Sequence, residues 1–131
     1  MIGVDTSVLV RYLVGTPPAQ ARRAAALVDG PAEIGVSTVA LAECAHVLRT
    51  QYAVPRTDVL ESLIGLVQRE NVRVLGLRTD VLLGVLVRAR RLPGRPIPDA
   101  LIVAASLAAD ALPFATFDRD QRRYGVPVRE P

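Results

Sequence analysis

The chain runs to 131 residues, 50% apolar and 22% charged, with a formal net charge of +3; that is one domain's length with ample core material, which excludes a disordered chain. All 16 basic residues are Arg, which excludes a P-loop lysine, a Schiff-base lysine and the lysine partner of a phospho-aspartate. Cys44 and His46 are the only residues of their kinds, which excludes an intrachain disulfide, a cysteine-cluster zinc site and a His-rich metal site.

Residues 2–5 read as a short strand ending on an acid, and 7–14 as a helix stopped by Gly15-Thr16-Pro17-Pro18. An Ala-rich helix over 19–29 closes at Gly30-Pro31, and 34–36 is the second strand. Ser37 or Thr38 caps a helix that runs toward Gln51. Pro55-Arg56-Thr57 begins another, with Val59, Leu60, Leu63, Ile64 and Val67 at helical spacing. The β-branched stretch 72–75 is a third strand, and Thr79 caps a helix toward Arg91. The Pro- and Gly-rich stretch 93–98 is a loop, after which Asp99 opens a nearly all-apolar helix toward Asp110. Residues 114–116 form a short strand, 118–124 a helical turn or two, and 126–128 a last extended piece.

Strands separated by helices imply parallel strands covered on both faces, and short, continuously apolar strands fit that burial. A single α/β domain over 1–131 is expected, with ligands gathering beyond the carboxyl ends of the strands. No apolar run approaches the roughly 20 residues of a membrane helix. Met1–Asp5 turns acidic too soon for a signal peptide. The expectation is a cytoplasmic protein with no membrane association.

Four acids stand apart from the solvated ones. Asp5 ends the first strand, Asp99 opens an apolar helix, and Asp118 follows the strand at 114–116. Glu43 sits in a helix of mostly apolar neighbours, where an unpaired carboxylate is costly. Taken singly, Asp5 and Asp99 also suit helix caps, Asp118 a turn, and Glu43 a pair with Arg11 or Arg49. Taken together, three of them lie at strand ends or helix starts on what should be one edge of a sheet, where helix N-termini favour anions. Clustered carboxylates repel one another unless a hard divalent cation such as Mg²⁺ lies among them. Such an ion activates water for phosphodiester cleavage, a chemistry that needs no Lys, Cys or His.

The segments Ile2-Gly3-Val4-Asp5-Thr6-Ser7-Val8-Leu9-Val10-Arg11-Tyr12-Leu13, Ser37-Thr38-Val39-Ala40-Leu41-Ala42-Glu43, Pro98-Asp99-Ala100-Leu101-Ile102-Val103-Ala104-Ala105 and Ala115-Thr116-Phe117-Asp118-Arg119-Asp120 resemble, in this order, the four acidic segments of PIN domains. Their order and spacing are similar to those of the VapC group of toxins. The resemblance implies a three-layer α/β/α sandwich with a central parallel sheet. It further implies a Mg²⁺- or Mn²⁺-dependent endoribonuclease of a type II toxin–antitoxin pair, a homodimer held in check by a cognate antitoxin. Asp5, Glu43, Asp99 and Asp118 take the positions of the catalytic, metal-binding quartet, and Thr6 and Thr116 those of supporting hydroxyls. The family often has Phe where this chain has Gln121, which leaves Asp120 open beside Asp118 as the fourth acid; the nearer strand end favours Asp118. The alternative is a PIN-like RNA- or protein-binding module without catalysis.

Glu43 and His46 have the Glu-x-x-His spacing of a carboxylate-bridged di-metal helix, but that site needs a second pair, so His46 reads as structural. Cys44 reads as core. Arg88, Arg90, Arg91 and Arg95 read as a solvated cluster. Arg119, Arg122 and Arg123, beside Asp118, read as holders of RNA phosphates. Tyr12 and Tyr124 suit packing better than base stacking. The Val- and Leu-rich helices over 57–68 and 79–91 suggest surface for a homodimer or an antitoxin helix.

Overall fold

In the computed structural model, which describes residues 1–131, the chain divides into two compact units, Met1–Gly76 and Leu77–Pro131. The first unit alternates strand and helix as β1 (Ile2–Val4), α1 (Thr6–Val14), α2 (Pro18–Val28), β2 (Ile34–Ser37), α3 (Thr38–Thr50), α4 (Arg56–Val67) and β3 (Val72–Leu75). Its sheet is parallel in the order β1-β2-β3, with Ile2 opposite Ile34 and Ile34 opposite Val72. Ile34, Gly35 and Val36 of the middle strand are all buried, which explains its unbroken apolar run.

Local chemistry sets the ends of these elements. Asp5 caps α1, and Gly15 ends it in the left-handed region at φ 83°, sending its N–H to the Arg11 carbonyl. Pro18 opens α2 with its φ already helical. The Ser37 hydroxyl accepts the Ala40 N–H at 3.1 Å and so caps α3. The Asn71 side-chain amide donates to the carbonyls of Val28 (2.8 Å) and Ala32 (3.1 Å), fastening the loop into β2 against the start of β3. Leu9, Val28, Leu41, Cys44, Leu60 and Leu63 fill the core beneath. Because β1 and β2 run parallel in register, Asp5 and the start of α3 emerge at the same edge of the sheet.

The second unit contains α5 (Thr79–Ala89), α6 (Ile97–Ala108), β4 (Phe114–Ala115), a 3₁₀ helix (Arg119–Tyr124) and β5 (Val128–Arg129). The two strands pair in parallel, Phe114 with Val128 and Ala115 with Arg129. The 3₁₀ helix lies in the crossover between them. Leu82, Leu86, Ala100, Val103 and Ala104 form the helical part of its core, with Tyr124 and Val126 also buried.

Several expectations change. Thr79 is the first residue of α5, not its cap; Arg78 holds that position and offers no side-chain cap bond. Helix α6 begins at Ile97, before Asp99, because Pro98 suits the first turn. Asp99 is therefore a first-turn acid, not a cap. Glu43 is exposed. Helix α3 buries Ala40, Leu41, Cys44, Ala45 and Leu48, and Glu43 sits with Val39 and His46 on the solvent side. Every Val, Leu and Ile of α4 is buried, and those of α5 are buried or half-buried. The apolar surplus of α4 thus serves the core, so that helix does not carry the exposed apolar surface expected of it, while Val81, Leu83 and Val87 of α5 stay half-buried. The last strand begins at Val128, later than the extended piece expected from 126. No helix is long and apolar enough to cross a membrane.

Candidate active site

In the first unit the acidic positions rest on the edge where β1 and β2 end. The Oδ1 atom of Asp5 accepts the Ser7 hydroxyl at 2.6 Å, the Ser7 N–H at 3.0 Å and the Val8 N–H at 3.3 Å. All three bonds fall on one oxygen, Oδ1, and so orient the carboxylate. The Ser7 hydroxyl, followed by the helix N–H groups, holds the Asp5 carboxyl below the usual range and keeps it ionised. Thr6, the next residue, donates its hydroxyl to Glu43 Oε2 at 2.8 Å. That bond joins the first turn of α1 to α3 and gives Glu43 a hydroxyl partner instead of Arg11 or Arg49.

In the second unit, Asp99 and Asp118 converge on one guanidinium. Arg95 Nη2 lies 2.5 Å from Asp118 Oδ2 and 3.6 Å from Asp99 Oδ2. The Arg95 side chain is only 15% exposed. Its guanidinium, then the Asp120 N–H, holds the Asp118 carboxyl below the usual range, and Asp118 in turn raises the pKa of Arg95. Asp118 Oδ1 accepts the Asp120 N–H at 3.0 Å and thereby caps the 3₁₀ helix. The Thr116 hydroxyl accepts the Asp118 N–H at 2.9 Å, setting the chain's course out of β4. Asp120 supplies its backbone to Asp118, and its own side chain is exposed.

Arg95 was not expected here; grouped with Arg88, Arg90 and Arg91 it reads as solvated. Its signal in the sequence is the four-residue spacing to Asp99. Ser7 is the other residue that sequence reasoning passed over, although a Ser two positions after a capping Asp is an ordinary clamp. Cys44 is core as expected: fully buried, with burial pushing its thiol up to about 12. His46 is exposed, so it has no structural role in the core. Tyr124 is buried. Tyr12 packs and bonds to Asp29.

Of the expected phosphate holders, Arg119 and Arg122 line a depression of about 240 Å³ that also touches Thr116. Arg119 pairs with Glu130 at 3.4 Å. Arg123 lines a different depression, with Arg88 and Arg91.

The donor atoms at these positions are carboxylate and hydroxyl oxygens, the set that hard divalent cations prefer. Within neither unit do three His, Cys, Asp or Glu side chains gather in a group that could hold a metal ion. Asp99 and Asp118 do already share one positive charge, so the residues fit a cation held by few protein ligands, as Mg²⁺ commonly is.

No curated protein is similar enough to this chain to count as a relative. The family model of the PIN domain matches residues 2–127. PIN domains are generally metal-dependent nucleases, and parallel strands joined by helices agree with their three-layer α/β/α fold. The match includes all four acidic segments, and the chain belongs to the PIN-domain family.

Proposed function

We propose that the protein is a Mg²⁺- or Mn²⁺-dependent endoribonuclease, the toxin of a VapBC-type pair. In this reading 1–131 acts as one catalytic domain, a homodimer in the cytoplasm restrained by a cognate antitoxin. Asp5, Glu43, Asp99 and Asp118 hold the ion, and Thr6 and Thr116 support them. The observation that carries the reading is the convergence of Asp99 and Asp118 on a single positive charge at Arg95. Two carboxylates that converge on one cation present the oxygen donors and charge of a cation site.

A bound divalent ion supplies the polarisation of water and the neutralisation of phosphate charge that phosphodiester hydrolysis requires. The protein's own part is to hold oxygens in place. Ser7 orients Asp5 by one oxygen, Thr6 steadies Glu43, and the Asp120 N–H with the Thr116 hydroxyl steadies Asp118. Arg119 and Arg122, sharing a depression with Thr116, hold phosphate groups of the strand by charge-assisted hydrogen bonds. In-line attack leaves 5′-phosphate and 3′-hydroxyl ends.

Total bacterial RNA incubated with the purified protein and Mg²⁺ or Mn²⁺ is expected to yield discrete fragments, and chelator to prevent them. Asp5→Asn and Asp99→Asn are each expected to lose at least a hundredfold in rate with circular dichroism unchanged, the scale typical of losing a key electrostatic group. Retained cleavage by either variant removes that residue from the site. No cleavage by folded, antitoxin-free protein overturns the reading.

A further inference from the structure

The second unit builds a basic cleft lined by none of the four acids, and it takes in Arg123 apart from Arg119 and Arg122. Arg88 near the end of α5, Arg91 just beyond it, and Arg123 in the 3₁₀ helix line one depression of about 360 Å³ with Gly84, Val87 and Leu92. The fold thus joins arginines from two separate runs of sequence, and no carboxylate lines the cleft. Gathering like charges is unfavourable unless an anion answers them.

The cleft is built, not merely charged. Arg88 Nε donates to the Arg123 carbonyl at 2.7 Å, across 35 residues of sequence. Its guanidinium lies against the backbone at Gly125, where a Cβ would stand 2.9 Å from Nη1 and 3.0 Å from Cζ. Gly125 also ends the 3₁₀ helix at φ 84°, so the turn requires glycine there. Arg88, Arg91 and Arg123 are all exposed.

We propose that this cleft binds the phosphodiester backbone of single-stranded RNA, with Arg88, Arg91 and Arg123 donating to phosphate oxygens. The guanidinium fork matches a phosphate's oxygens. Two aliphatic side chains and no aromatic one give too little apolar surface for the centre of a protein interface. The inference rests on the reading of the protein as an RNA hydrolase and adds a second point of hold on the strand.

The test uses the full chain with a short single-stranded oligoribonucleotide in chelator, which withholds the ion that cleavage needs, and reads affinity by fluorescence anisotropy across a salt series. The working variant is Arg91→Gln/Arg123→Gln, since Arg88→Gln also removes the anchor beside Gly125. Arg22→Gln/Arg49→Gln, two exposed arginines of α2 and α3, is the charge-matched control. The working variant is expected to bind several-fold more weakly, with the salt slope smaller by about 0.7 for each phosphate no longer neutralised. The control is expected to keep the wild-type slope. Equal slopes and affinities in both variants overturn the cleft. So does a wild-type protein that binds polyglutamate through these arginines while its oligonucleotide binding ignores their loss. A protein that passes this test yet cleaves no RNA in Mg²⁺ or Mn²⁺ keeps the cleft and loses the hydrolase reading.

Discussion

Tyr12 donates its hydroxyl to Asp29 at 2.8 Å, and Arg69 closes the group at 2.8 Å from the same carboxylate oxygen. These three side chains tie α1 to the end of α2 and the approach to β3, the frame in which Asp5 sits. Burial, then the bond to Asp29, raises the Tyr12 pKa above the usual tyrosine value. A raised folded pKa contributes stability that is fully present below the unfolded value near 10. It is lost as pH rises through the folded value. Tyr12→Phe is expected to cost about 1 kcal/mol at neutral pH and to flatten the alkaline fall in stability; urea unfolding at pH 8 and above pH 10 measures both. At this scale the sequence was a good guide where a residue's role depends on near neighbours. Asp5 and Asp118 at strand ends, and Cys44 among alanines and leucines, stand as expected. Arg95 did not read correctly, because its role depends on Asp118, which lies 23 residues away.

Helix α3 carries Cys44 into the core and Glu43 out of it, a consequence of the 100° step between successive helical residues. Composition alone put Glu43 in an apolar setting; the angular position of each residue puts it on the surface, next to the Thr6 hydroxyl. The start of the helix is held by one bond, Ser37 Oγ to the Ala40 N–H. Ser37→Ala is expected to cost about 1 kcal/mol and Ser37→Asp much less, measured as the shift in chemical denaturation midpoint at constant slope. Starts that rest on such a side-chain bond were legible, as at Asp5 and Ser37. Those of α5 and α6 were not, since Arg78 and Pro96 make no cap bond.

Across the molecule, periodicity disclosed the alternation of strands and helices and the parallel sense of pairing. It did not disclose that the strands would pair three in one unit and two in the other, because register depends on partners distant in the chain. The apolar excess of α4 likewise misled, since an apolar count does not say whether the partner is the protein's own core. Whether folding waits for an ion is also a property of the whole chain. In many small metal-binding domains the unliganded state is unfolded, because nothing else offsets the repulsion of the ligands. Here Arg95 is a tethered counter-ion, always charged and held between Asp99 and Asp118. The repulsion between these two carboxylates is thereby offset by a group of the chain itself. The wild type is expected to melt cooperatively in chelator and a little higher with Mg²⁺, whereas Arg95→Ala should melt several degrees lower than the wild type in chelator and gain more from Mg²⁺. A chain carrying its own placeholder cation can be made, folded and held in reserve before any metal reaches it.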